Sequence, residues 1–316
     1  MRVLVTGIAG FVGPHLTRVL QAAGHEVHGS LLPTDPRDGL AGLEVGLHEA
    51  DLLDPEALLR LVRETAPDAL VHLAALSSVP AAEQDPRLAY RVNVEGTVSL
   101  LAAVRTAAPA ARVLFAGSSD TYGAVQPAEL PVCEDTPQRP LSVYAATKVA
   151  AEVAVLQWGR AHGLDVVVAR AFNHTGPGQS AAFVCPALAQ QIAEMERGDR
   201  EQVLRVGNVD PVRDIGDVRD VTRGYLALLE RGGAGRVYNL CTGEGVSIAE
   251  VIALLRTHAR VPMRAYSDPA LRRPVEVPRL VGDHARVTDE TGWEPHIPLT
   301  QTLADVLDDY RRRVAR

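Results

Sequence analysis

The sequence predicts an α/β protein, a doubly wound parallel sheet with a smaller, interwoven C-terminal lobe. Two observations carry this. In the first half, short β-branched runs, apolar on both faces, alternate with stretches whose apolar residues recur every three or four positions. That order puts parallel strands in the middle and helices on both sides. At the first strand–helix junction, Gly7, Gly10 and Gly13 form G-x-x-G-x-x-G, which lets the backbone turn tightly beneath a phosphate. The chain has 316 residues, 47% hydrophobic and 22% charged, an ordinary globular balance.

Arg2–Thr6 (RVLVT) reads as the first strand and Phe11–Ala23 as the first helix. Strands are expected at Glu26–Gly29, Ala69–Leu73 (ALVHL) and Arg112–Ala116 (RVLFA), and helices at Pro55–Ala66, Pro86–Ala107 and about Ser142–His162. Asp54 is expected to cap the helix at Pro55, with proline at its first position. A strand near Asp165–Arg170 brings the sheet to six or seven. Beyond residue 173 the texture changes. Asn173–Gly178 (NHTGPG) has loop chemistry, Phe183–Gly198 reads as a helix, Val203–Val206 as a strand and Asp217–Glu230 as a helix. Arg236–Leu240 is a strand able to return to the sheet. Ser247 with Glu250 three residues on is a capping box for a helix at Ser247–Thr257. Arg264–Val281 is expected to be Pro- and Arg-rich loop, and Leu299–Arg313 a final amphipathic helix. The expected division is a dinucleotide-binding unit over 1–172, rejoined by 217–245, and a substrate lobe over most of 173–316.

No apolar run reaches the length of a membrane span, and Met1 leads directly into a strand rather than a signal peptide. The net charge is −7 with 32 basic residues, so no broad basic face for nucleic acid is expected, and a bound anion needs a local cluster of donors. Cys133, Cys185 and Cys241 are odd in number and far apart, as suits reduced thiols in a cytoplasm. The histidines are scattered, and no metal site is expected.

Of the 32 basic residues, only Lys148 is a lysine. It stands four residues after Tyr144 in a predicted helix, so phenol and ammonium face one site. An adjacent ammonium is expected to lower the tyrosine pKa toward working pH. A lysine's compact donors also reach ribose hydroxyls, which the planar guanidinium suits less well. Ser118, after the strand ending at Ala116, stands where ligands bind in open α/β sheets, placed to polarise a carbonyl beside Tyr144. The glycine loop, with Phe11 and Val12 inside it, is the candidate pyrophosphate cradle. After the second strand there is no clean acid to select NAD and no clean arginine to select NADP. Ser30, Thr34 and Arg37 are candidates for a 2′-phosphate or plain turn chemistry, so the cofactor is NAD or NADP. Asp51, with Leu52, is free to meet the adenine.

Together with Leu73-Ala74-Ala75 and Asn93 in Asn93-Val94-Glu95-Gly96-Thr97, these residues resemble the extended short-chain dehydrogenase/reductases, the NAD-dependent epimerase/dehydratase family. The resemblance runs end to end. Phe172–Gln179, Val206–Asn208, Val212–Asp214, Asp217–Val221, Tyr238–Gly243 and Arg273–Val277 are similar to the GDP-sugar branch, and the Thr175–Gln179 stretch to its reductases more than its 4,6-dehydratases. The resemblance implies reduction of the C4 keto group of a 4-keto-6-deoxy nucleotide sugar by NAD(P)H, with Ser118, Tyr144 and Lys148 catalytic. It places Leu73, Ala74, Ala75 and Asn93 at the cofactor. It also puts Asn173 at the sugar-phosphate, Arg213 and Arg273 on the diphosphate and Glu276 on the ribose. Related dehydratases carry Glu where Asp120 stands, which adds Asp120 to the candidates and keeps a dehydratase or 4-epimerase as alternatives. A silent NAD(P)-binding sensor is the non-enzymatic one. The resemblance further implies a homodimer formed by the helices at Pro86–Ala107 and Ser142–His162.

Overall fold

Apolar residues on both faces of a strand need cover on both faces, and the chain supplies it by returning a helix after nearly every strand. The computed structural model describes residues 1–271 and 277–315. It opens with β1 (Arg2–Thr6), α1 (Val12–Ala22), β2 (Glu26–Leu31), β3 (Gly46–Glu49), α2 (Pro55–Thr65) and β4 (Ala69–His72). Two short helices follow, α3 (Val79–Gln84) and α4 (Pro86–Tyr90), then α5 (Gly96–Ala107), β5 (Arg112–Ser118), the long α6 (Val143–His162) and β6 (Val166–Ala171). Alternate residues of each strand go to opposite sides. Val3 and Val5 of β1 join the core beneath α1, whereas Leu4 joins the one beneath α2 and α5.

The second half contains β7 (Asn173–Thr175), α7 (Val184–Arg197), β8 (Val203–Val206), β9 (Val212–Asp217), α8 (Val218–Arg231) and β10 (Val237–Leu240). It ends with β11 (Gly245–Ser247), α9 (Ile248–His258), β12 (Arg264–Ser267), β13 (Arg279–Leu280), α10 (Ala285–Thr291) and α11 (Leu299–Val314). β10 pairs with β6 and completes a seven-stranded sheet of order β10-β6-β5-β4-β1-β2-β3, every pairing parallel. β7, β11 and β13 pair with β9 in a small sheet, and β8 pairs with β12. α7, α9 and α11 close a separate apolar core over these. No helix among the described residues is long and apolar enough to cross a membrane.

Three expectations are corrected. Pro86–Ala107 is not one helix: a π-helical turn at Arg91–Glu95 separates α4 from α5. Asn173–Thr175 is not loop, because it hydrogen-bonds along β9. Arg264–Val281 is not loop throughout, because Arg264–Ser267 pairs with β8 and Arg279–Leu280 with β9. β12 is exposed on every residue, so it lacks the apolar alternation by which a strand is recognised. The caps fall as their chemistry requires: Asp54 accepts from the Glu56 and Ala57 amides, and Ser247 and Glu250 close their reciprocal box.

Candidate functional site

Reading the sheet from β3, the strand order reverses between β1 and β4, and a doubly wound sheet opens its ligand crevice at the carboxyl ends of such a pair. The glycine loop lies there. Gly7 has φ +69°, and a Cβ on it would come within 2.8 Å of the Ala74 backbone. On Gly13 a Cβ would stand 2.0 Å from the Ile8 carbonyl oxygen. No side chain caps the N-terminus of α1, and its first turn carries no acid. Unpaired amides beside closely approaching backbone suit a dinucleotide pyrophosphate, so the residues present fit the expected cofactor.

Around this crevice the other candidates divide. The Ser30 carbonyl accepts from the Gly7 and Ile8 amides, which clamps β2 to the loop. Asp51 accepts from the Leu53 amide at 2.9 Å, while Leu52 is buried against Gly96. Arg37 reaches Glu49 at 2.9 Å across the ends of β2 and β3. Phe11 stacks on His174 with ring centroids 6.0 Å apart and meets His15 edge-on. Asn93 is buried, and its amide binds both backbone groups of Leu76 and the Thr147 hydroxyl.

Ser118 ends β5, and its Oγ accepts from the Asp120 amide at 3.2 Å. Tyr144 sits in the first turn of α6, which Ser142 caps, with Ser118 and Asp120 near enough to act on its phenol. One turn on, Lys148 is 5% exposed, with its Nζ 4.3 Å from the centre of the Phe115 ring. The Tyr144 phenol lies beside Ser118 and Asp120, and one turn on the Lys148 ammonium lies over Phe115 of the same strand, β5. The electrostatics correct one expectation. Burial pushes the Tyr144 phenol above its ordinary value, the Asp120 carboxylate adds to that, and the nearby Ser118 hydroxyl only partly opposes it. Burial also lowers Lys148 to about 8, against the pull of Glu152. Tyr144 thus stays a protonated phenol, an acid ready to donate.

Asn173 lies exposed on β7, opposite Ile215 of β9, and Arg213 lies two residues before Ile215 on that strand, with an Nη donating to the Val212 carbonyl at 2.9 Å. Asp214 does not simply pair with Arg213: its buried carboxylate accepts from Thr242, Gly243 and Gly282. Arg273 and Glu276 lie outside the described residues. Sequence reasoning missed His15, whose Nε2 donates to the Pro177 carbonyl, and His174, whose Nδ1 donates to the Phe172 carbonyl. It also missed His72, whose one signal was a polar residue inside the apolar ALVHL strand.

Comparison with known proteins is consistent along the whole chain. The family described as GDP-mannose 4,6 dehydratase matches residues 4–306. GDP-6-deoxy-D-mannose reductase of Pseudomonas aeruginosa is 42% identical over 99% of this chain and 98% of its own. GDP-mannose 4,6-dehydratase of Vibrio cholerae is 29% identical over 96% of this chain and 92% of its own. The solved structure of RMD from Pseudomonas aeruginosa complexed with NADPH superposes with a TM-score of 0.88 at 41% identity, covering 99% of both chains. On a family match that spans nearly all the strands and helices described above, the chain belongs to the GDP-mannose 4,6 dehydratase family of extended short-chain dehydrogenase/reductases.

Proposed function

We propose that this protein reduces the C4 keto group of GDP-4-dehydro-6-deoxy-D-mannose with NADPH or NADH. The observation that carries it is the grouping at the carboxyl end of β5, where Ser118 lies beside the Tyr144 phenol and Lys148 is buried one helical turn away. The 42% identity to a GDP-6-deoxy-D-mannose reductase supports the substrate.

When bound, the reduced nicotinamide supplies hydride to C4. Ser118 donates a hydrogen bond to the C4 oxygen and polarises it. Tyr144, held protonated, gives its proton to the same oxygen as negative charge develops. Lys148 holds the nicotinamide ribose and offsets the charge left on the tyrosine. Gly7, Gly10 and Gly13 with Phe11 and Val12 cradle the pyrophosphate, while Ser30, Leu73, Ala74 and Ala75 shape the crevice and Asp51 and Leu52 its adenine end. Asn173 and Arg213, with Arg273 and Glu276, hold the GDP moiety, the arginines as forks on the diphosphate. The working unit is a cytoplasmic homodimer, supported by the three free cysteines and by apolar side chains exposed on α4 and α6.

A 4,6-dehydratase reading is favoured by one observation, the Asp120 carboxylate close enough to Tyr144 to raise its pKa. The two reactions differ in cofactor balance. With the 4-keto sugar, the reductase consumes one NAD(P)H per product, whereas a dehydratase given GDP-mannose shows no net oxidation. Tyr144→Phe should lower kcat by about a hundredfold or more. Normal turnover in that variant would remove Tyr144 from its role.

A further inference from the structure

Beside Tyr144 and Lys148 runs a line of buried polar groups in which the hydrogen-bond partners leave every hydroxyl proton a single place. Thr97 donates its hydroxyl to the Asn93 carbonyl at 2.7 Å. A hydroxyl has one proton, so at its 3.0 Å contact with His72 Nε2 it must accept, and His72 carries its proton on Nε2. The ring is buried and kept far below its ordinary pKa, first by burial and then by the nearby Lys148 ammonium. Its Nδ1 is therefore bare and accepts the Thr6 hydroxyl at 2.7 Å. Thr6 Oγ1 in turn accepts from the Ala74 amide at 3.3 Å.

From Asn93 the line continues to the catalytic helix. The Asn93 amide donates to Thr147 Oγ1 at 2.9 Å, and Thr147 donates its hydroxyl to the Tyr144 carbonyl at 2.7 Å. Thr6, His72, Asn93, Thr97 and Thr147 are all buried. One end, Ala74, is the backbone that a Cβ on Gly7 of the cofactor loop would meet first. The other end is Tyr144 itself. Asn93 lies in the π-helical turn Arg91–Glu95, and such turns concentrate at functional sites.

We propose that Thr6, His72, Thr97, Asn93 and Thr147 form a positioning relay that sets Tyr144 and Lys148 in register with the cofactor loop, with His72 as the neutral bridge between β1 and α5. The relay contributes geometry: none of its side chains is placed on substrate. It rests on the proposed role of Tyr144 as proton donor. Near-attack alignment tolerates little error, and a 1 Å misplacement costs on the order of a hundredfold. A chain of bonds with one permitted direction at each step resists that displacement more than apolar packing does.

Thr97→Val tests this, because the shape is kept and the site is untouched. With NADPH and GDP-4-dehydro-6-deoxy-D-mannose, kcat should fall about tenfold while KM and the NADPH Kd, read by nucleotide fluorescence, stay within about twofold. Thr97→Ser should restore it. Thr147→Val should behave alike, and the double variant should be no slower than the slower single, since a relay is lost once. In protein without cofactor, amide exchange across Ala146–Lys148 should quicken in Thr97→Val. If Thr97→Val does not fold, Thr147→Val with Thr147→Ser as its rescue carries the same expectations. An unchanged kcat, losses that multiply, or failure of the serine rescue would overturn the relay. Tyr144→Phe run in parallel separates the two ideas: full activity there removes the proton-donor reading, whereas an inactive Tyr144→Phe beside a normal Thr97→Val removes the relay alone.

Discussion

Lys148 is the residue whose charge the reaction will report. Its ammonium is buried, and burial brings it to about 8 from 10.5. A rate that needs the charged form should therefore fall as pH rises through about 8, read as kcat/KM of the free enzyme. An activity that keeps climbing through pH 9 would take the ammonium out of the mechanism. Stability runs the opposite way: the unfolded chain binds this proton more tightly, so this group's contribution rises with pH between about 8 and 10.5. Gly13→Ala has nowhere to place its methyl, which would stand 2.0 Å from the Ile8 carbonyl oxygen. It should abolish cofactor binding by titration calorimetry, and retention of wild-type affinity would show that the loop can shift. At this scale the sequence disclosed the Tyr144–Lys148 pair because four residues on a helix fix it. The sign of the tyrosine shift was not legible, since burial and the approach of Asp120 are set by strands distant in the chain. His72 and Thr97, 25 residues apart, were hidden for the same reason.

Among elements, α6 has to be held at its start and at its middle to keep its catalytic first turn in place. Glu83 takes the Val143 amide at the start, and further along Glu152 grips Arg170 of β6 with bonds of 2.6 and 3.0 Å. Arg170 also donates to the Tyr122 hydroxyl and the Glu134 carbonyl, and Tyr122 donates to Asn239 of β10. The pair is 6% and 3% exposed, so removing one partner strands a buried charge. Arg170→Met should cost about 3–5 kcal/mol in urea unfolding, and Arg170→Met with Glu152→Met should recover much of it. An additive double loss would place the cost in packing instead. The strands of the main sheet from β1 to β6 were legible wherever apolar runs fill both faces. β3, β11 and β13 were not, being two to four residues long with little burial, and β9 was not because VRDIGD interrupts its apolar pattern with three charges.

The whole molecule leaves one face underfilled. Leu88 and Tyr90 on α4 and Val153 on α6 are 36, 44 and 56% exposed, with Leu141 just before α6 at 47%. α4 packs beside α6, so these side chains belong to one side of the sheet, over the helix that carries Tyr144 and Lys148. A monomer gains nothing from exposing large apolar groups on adjoining helices, whereas a second copy covering them removes each from water and braces α6. Sedimentation equilibrium should therefore give twice the 33.8 kDa of one chain. Val153→Glu would bury an unpaired carboxylate at the centre of that contact, and a penalty of about 3 kcal/mol weakens dimerisation roughly a hundredfold. Val153 is nine residues from Tyr144, half a turn round α6, so a monomeric Val153→Glu that binds NADPH normally but turns over slowly would show that α6 needs its partner. A variant that remains dimeric would move the interface to another face, and a monomeric wild type would remove it.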